Sequence, residues 1–150
     1  MKQRKGFTLI EILIVIGLIA VLAGVLVVAL NPARQFSQAR NAQRWNHVDT
    51  IIGAVVTNTT DNRGLFTCAA GAIPTSATNM SSASGDYNIG PCLVTTYAAQ
   101  MPFDPSASGA HWTSVSDYDT EYSIARDATT GRITVSAPGA ELSESISLTR

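Results

Sequence analysis

"KGFTLIEILIVIG", Lys5–Gly17, sets one carboxylate, Glu11, inside an otherwise apolar stretch, one helical turn beyond the Gly6–Phe7 junction. From Ile12 to Leu30 no side chain is charged or strongly polar. These nineteen residues, at about 1.5 Å each, span roughly 28 Å, close to the hydrocarbon thickness of a bilayer. A buried core helix would need apolar partners on every side. The remaining chain, rich in Ser, Thr, Asn and Gly, cannot supply them. The expectation is a membrane-spanning helix over 7–30.

What precedes this run is basic. Lys2, Arg4 and Lys5 crowd the first five residues, and no lysine occurs afterwards. A secretory signal peptide shares the basic start, but its apolar region is only 7–15 residues long. The segment after the apolar run, "NPARQFSQARNAQRW" (31–45), offers no convincing small-x-small processing site. The better cleavage boundary is Gly6–Phe7. Orientation by positive charge is weakly biased, because Arg34, Arg40 and Arg44 follow on the far side; it favours the amino terminus in the cytoplasm.

The stretch "RKGFTLIEILIVIGLIAVLAG" (4–24) resembles the prepilin leader and anchor of type IV pilins and of the related pseudopilins of type II secretion. The resemblance covers about the first thirty residues. It rests on the basic leader, Gly6, Phe7, Thr8, Leu9, and Glu11 at the family's glutamate position. It implies that a membrane-embedded aspartyl prepilin peptidase removes the leader, residues 1–6, by cutting after Gly6. The new amino terminus, Phe7, is then N-methylated.

A carboxylate within a membrane helix costs about 2.5–3.5 kcal/mol on insertion scales, so Glu11 persists only with a partner or a way to be neutralised. Cleavage after Gly6 would create a nearby cation, the ammonium of Phe7. The two could meet within a chain. The resemblance implies instead that Glu11 of one chain reaches Phe7 of an axially offset neighbour. Such a pair penalises misregistered subunits more than it adds net stability. Read alone, Glu11 is equally a snorkelling residue satisfied by water or headgroups. Along the same helix Gly17, Ala20 and Gly24 supply small residues, Ala20 and Gly24 in small-xxx-small spacing, and so a face for close helix packing. Ordinary glycine usage in membrane helices is the plainer alternative.

Asn31–Pro32 closes the apolar run, and Pro32 predicts a kink. Beyond it the pattern becomes amphipathic: Trp45, Val48, Ile52, Val55 and Val56 share one arc, with Arg40, Arg44, Asn46 and Asp49 outside it. The helix is expected to continue over about 33–61 and to end at "TNTTDNRG" (57–64), with Gly64 as its cap. The arginines read as a solvated face or as partners for acids of adjacent subunits. A nucleic-acid footprint is uncertain, because no aromatic stripe accompanies them. Without the leader, seven arginines face eleven acids, a net charge of −4, so bulk charge does not suggest a nucleic-acid binder.

Leu65–Ala110 is a long small-residue segment whose composition is not expected to build a core. Cys68 and Cys92 lack CxxC spacing. They suit one disulfide outside the cytoplasm, closing the loop 68–92, or else two buried free thiols. "MPFDP" (101–105) resembles the proline-bracketed aspartate found before the sheet in some pseudopilins. At the carboxyl end, "TEYSIAR", "RITVSA" and "ESISLT" alternate around turn residues and predict three antiparallel strands over about 120–149.

No catalytic constellation is visible: no GxSxG elbow, P-loop or GxGxxG, and no metal-ligand cluster around His47 or His111. Asp117, Asp119 and Glu121 alternate, but the EF-hand pattern fails, with Tyr122 where glycine belongs and Ala128 where glutamate belongs. No cofactor or metal is expected. Asn58-Thr59-Thr60 and Asn79-Met80-Ser81 fit the permissive glycosylation sequon.

The whole reads as an α+β chain: a leader 1–6, an apolar helix 7–30, and a pilin-like globular domain 31–150. The resemblance implies a non-enzymatic subunit of a type IV pilus. Its partners would be further copies, the prepilin peptidase and an inner-membrane assembly platform. The precursor would cross the cytoplasmic membrane once and end in a surface filament serving adhesion, motility or DNA uptake. A periplasmic pseudopilus of type II secretion is the alternative, since the anchor is common to both.

Overall fold

A computed structural model describes residues 6–150, apart from the side chains of 28–30. Met1–Lys5, most of the expected leader, lie outside the described residues. The chain forms two compact units, Met1–Phe36 and Ser37–Arg150.

In the first unit, helix α1 spans Leu9–Leu30, long and apolar enough over Leu9–Val27 to cross a membrane. None of that window is buried inside the protein. The helix stops because Asn31 turns left-handed, at φ 40° and ψ 74°. Proline disfavours helical geometry in the residue before it, and asparagine tolerates the left-handed region. Helix α2 then starts at Pro32 itself and runs to Asp61. As first residue, a proline sacrifices no helical hydrogen bond. The interruption expected at Pro32 thus falls on Asn31.

The second unit packs α2 and a five-stranded antiparallel sheet into one core. The strands are β1 (Thr78–Ser81), β2 (His111–Ser114), β3 (Asp117–Arg126), β4 (Ile133–Ala137) and β5 (Ile146–Thr149). Their order is β1-β3-β4-β5, with β2 also pairing β3. On β3, alternation buries Tyr118, Thr120, Tyr122 and Ile124. The register sets Ile124 opposite Val135, Val135 opposite Leu148, and Ala137 opposite Ile146. The three expected strands correspond to β3, β4 and β5.

Two expectations need correcting. The α2 stripe facing the core is Asn41, Arg44, Val48, Ile51, Ile52, Ala54, Val55 and Asn58. Trp45 is 37% exposed and Val56 half-buried, whereas Arg44, assigned to the outside, is fully buried. Counter-charges from distant loops admit the arginine, and no helical wheel contains them. Second, the segment 65–110 contributes to the core after all. Ile73, Met80, Tyr87, Ile89, Leu93, Val94 and Met101 are buried, and the segment contains β1 and the single-turn helix α3 (Gly90–Leu93). These residues are scattered at uneven intervals among small ones, so they leave no periodicity.

Local devices hold this irregular segment. Cys68 and Cys92 form a disulfide, their Cα atoms 5.2 Å apart. Asn58, buried on α2, accepts from the Thr67 N–H at 3.0 Å and donates to the Thr67 and Cys92 carbonyls at 3.2 and 3.5 Å. The Asn58 amide is therefore no exposed glycosylation acceptor. Helix α2 closes with two crossed bonds, Gly64 N–H to Thr59 O at 2.8 Å and Arg63 N–H to Thr60 O at 3.3 Å. Arg63 (φ 60°) and the expected Gly64 (φ 89°) both take positive φ in this cap, so the glycine shares the closure with the arginine before it. Because the disulfide closes a loop of sequence separation 24, replacing Cys68 and Cys92 by serine should lower stability by about 3.5 kcal/mol. Urea unfolding of the detergent-solubilised chain measures this, and an unchanged midpoint would refute it.

Candidate assembly site

Helix α1 begins with a reciprocal cap between Thr8 and Glu11. The Thr8 N–H and hydroxyl donate to one Glu11 carboxylate oxygen at 2.9 and 3.0 Å, and the Glu11 N–H donates to the Thr8 hydroxyl at 3.3 Å. Two otherwise unpaired donors are satisfied, and a negative charge sits at the positive end of the helix dipole. Glu11 has no cationic partner among the described residues. Phe7, 83% exposed, lies immediately before the cap. Thr8 thus carries a role that the motif alone did not assign, although the Thr-x-x-Glu spacing signals it. Gly17, Ala20 and Gly24 are exposed, and a Cβ placed on either glycine meets nothing within 4 Å.

In the body, the polar feature is a buried charge network. Every N–H of Arg44 is engaged: Nε and Nη2 hold the two Asp104 oxygens at 2.7 and 2.9 Å, and Nη2 also reaches the Ser106 hydroxyl at 2.7 Å. Nη1 donates to Asn41 Oδ1 at 2.9 Å and Glu141 at 3.0 Å. Both Arg44 and Asp104 are almost wholly shielded from water. Asp104 also accepts the N–H groups of Ser106 and Ala107 at 2.8 and 2.9 Å. The aspartate of "MPFDP" is therefore the counter-ion of a core arginine. Nearer the surface, Arg40 grips Glu141 in a second two-pronged pair, Nε to Oε2 at 2.6 Å. Of the arginines read as solvated, or as reaching for acids of other subunits, Arg40 and Arg44 thus find theirs within this chain, while Arg34 makes no ion pair among the described residues.

The same network clamps the β4–β5 loop to α2. Asn41 accepts from the Glu141 N–H at 3.0 Å and donates to the Glu141 carbonyl and the Glu144 carboxylate at 2.8 and 2.7 Å. The Trp45 indole donates to Glu144 at 2.8 Å. Between these anchors Leu142 and Ser143 both adopt φ 58°. Left-handed backbone costs a side-chain-bearing residue about 1–2 kcal/mol, and here two occur in succession.

The network makes stability acid-sensitive. Hydrogen bonds from Arg40, then Arg44, hold the Glu141 carboxyl at about 2 against an ordinary 4.5. Burial pushes Asp104 up, but Arg44 and the two loop N–H groups outweigh it and its pKa falls. A carboxylate with a depressed folded pKa stabilises above its unfolded pKa and loses that contribution as pH drops towards the folded one. The melting temperature of the body should therefore fall between about pH 4.5 and pH 2. Glu141→Gln should flatten that fall, and an equally steep profile in the variant would count against this account.

The remaining titratable candidates have local duties. His47 lies against Tyr122, its Nδ1 2.9 Å from the phenol oxygen, and burial lowers its pKa. His111 pairs with Asp117 at 3.2 Å on the surface. Asp119 accepts from the Asn79 amide at 3.0 Å and from the Glu121 N–H at 2.9 Å. Among the described residues no three His, Cys, Asp or Glu side chains are grouped to hold a metal.

Against known families, residues 1–27 match the model described as the prokaryotic N-terminal methylation motif. The chain carries a prepilin methylation motif. This is the signature of type IV pilins and pseudopilins, and it takes in Gly6, Phe7, Thr8, Glu11, Gly17, Ala20 and Gly24. No curated protein and no solved structure matches the chain. The methylation motif and the exposed apolar helix behind it together fit a membrane-anchored precursor. In the motif's terms, the Thr8–Glu11 cap lies immediately beside the peptide bond that processing would open.

Proposed function

We propose that this chain is a structural subunit of a type IV pilus, held in the cytoplasmic membrane through Phe7–Leu30 until assembly. In this reading prepilin peptidase cuts after Gly6, Phe7 is N-methylated, and the chain polymerises with further copies through α1. The observation that carries it is a methylation motif on a helix whose apolar side chains find no cover within their own chain. An apolar helix of that length needs lipid before assembly, and neighbouring helices afterwards can replace the lipid. Glu11 suits the same cycle. Its carboxylate is held by neutral groups of Thr8, which an ammonium can outcompete when a neighbour's Phe7 arrives.

Mass spectrometry of the mature protein should show an amino terminus at N-methyl-Phe7, and an uncut chain would refute the processing step. Electron microscopy with an antibody to the body should show surface filaments. Short filaments confined to the periplasm would assign the chain instead to a pseudopilus of type II secretion.

A further inference from the structure

The Leu142 turn is an exposed apolar knob held rigidly in place. Leu142 is 49% exposed, and it and Ser143 take left-handed backbone. Glu141 and Glu144 on either side are tied to Asn41, Arg40, Arg44 and Trp45 of α2. Strained backbone that persists because its surroundings over-determine it is concentrated at contact and switch regions. The clamp holds the turn within the body, while the leucine it carries stays outside the core.

The other end of the same body holds a hollow of about 210 Å³ lined by Thr59, Leu65, Phe66, Ile73, Arg126 and Ile133. Leu65 at its rim is 72% exposed. Arg126 makes no ion pair among the described residues. Beside the knob, Glu144 accepts only from the neutral Asn41 amide and Trp45 indole, so its charge is uncompensated. An apolar knob beside a carboxylate that no cation neutralises, and a partly apolar hollow beside an unpaired guanidinium, are complementary. They are anchored at Asn41 and Thr59, eighteen residues apart on α2, or about 27 Å.

We infer that the Leu142 turn of one copy of this chain docks into the Leu65–Ile133 hollow of the next, with Glu144 facing Arg126. Knob and hollow are different surfaces, so the contact is head-to-tail, and in the open filament of the proposed function it repeats from copy to copy. The inference rests on the filament reading and adds to it a contact between bodies, separate from the packing of α1.

Cysteine pairing across the contact tests it in the full chain. Leu142→Cys combined with Leu65→Cys, both at exposed positions, should give an extended ladder of disulfide-linked oligomers when isolated filaments are mildly oxidised. Each single variant should give no ladder beyond a dimer. Filaments that yield only monomer from the double variant would overturn the contact and leave the filament reading intact. A ladder that stops at dimer would overturn its head-to-tail character. Absence of filaments from the unaltered chain would overturn both. Should the double-cysteine chain fail to assemble, charge reversal reads the same contact. Arg126→Glu should lower filament yield about tenfold by setting like charges together, and adding Glu144→Arg should restore it. An unaffected Arg126→Glu yield would overturn the pairing.

Discussion

Replacing Arg44 by methionine should destabilise the body by about 3–5 kcal/mol, the usual consequence of removing one partner from a buried ion pair. The volume is nearly preserved, so the loss is electrostatic. Asp104 would remain shielded from water, its charge met only by the Ser106 hydroxyl and the N–H groups of Ser106 and Ala107. Glu141 and Asn41 would each lose a donor as well, loosening the β4–β5 loop. Domains of this size are stable by only about 5–15 kcal/mol, so the variant should be largely unfolded well below the parent's melting temperature. Arg44→Lys should not rescue it, because a single ammonium cannot supply five donors in a planar fork. Arg44→Met with Asp104→Asn should recover a substantial part, since the stranded charge disappears while the side-chain oxygen still serves the loop. Circular-dichroism melts of the parent, Arg44→Met, Asp104→Asn and the double variant measure the coupling. If Arg44→Met melts within a few degrees of the parent, the buried pair contributes little and this account of the core is wrong.

Replacing Glu11 by alanine should leave cleavage after Gly6 largely intact and reduce filament yield by at least about tenfold. In the assembled core the Phe7 ammonium would have no anion, and an unpaired charge in apolar surroundings costs several kcal/mol, where 1.4 kcal/mol already means a factor of ten. Thr8→Val provides the contrast. It removes the hydroxyl bonds of the cap, worth about 1 kcal/mol at the helix start, but keeps the Glu11 carboxylate. Its filament yield should stay much closer to the parent's. Quantifying sheared filaments alongside the ratio of processed to unprocessed chain separates assembly from cleavage. Parental filament yield from Glu11→Ala would sink the role assigned to the carboxylate; equal losses in both variants would point to the cap instead.

Some features were legible in the chain because neighbours in sequence create them. Thr8, Glu11 and the cap they form lie within one turn. Asn31 and Pro32 interrupt the helix through adjacent backbone. Tyr122, Ile124, Ile133, Val135, Ile146 and Leu148 alternate because a strand's period is two. The apolar run declares itself by length and composition alone. None of these requires knowledge of a distant residue.

Arg44 shows where that reading ends. An arginine on a helix is outside by default, and it lies inside here because Asp104 and Glu141, 60 and 97 residues away, meet it there. Neither acid has a local periodicity that would mark it as the partner of a helix arginine. Met80, Ile89 and Met101 likewise joined the core singly, from a segment with no pattern to betray them. Leu142 became a knob only because the residues flanking it were pinned to α2. The chain alone settled the long apolar helix, the methylation motif and the α+β class, all products of short-range chemistry. The buried ion pair, the complete five-stranded sheet and the paired surfaces of the body came from folding, because desolvation decides a charge's place only once its partners converge.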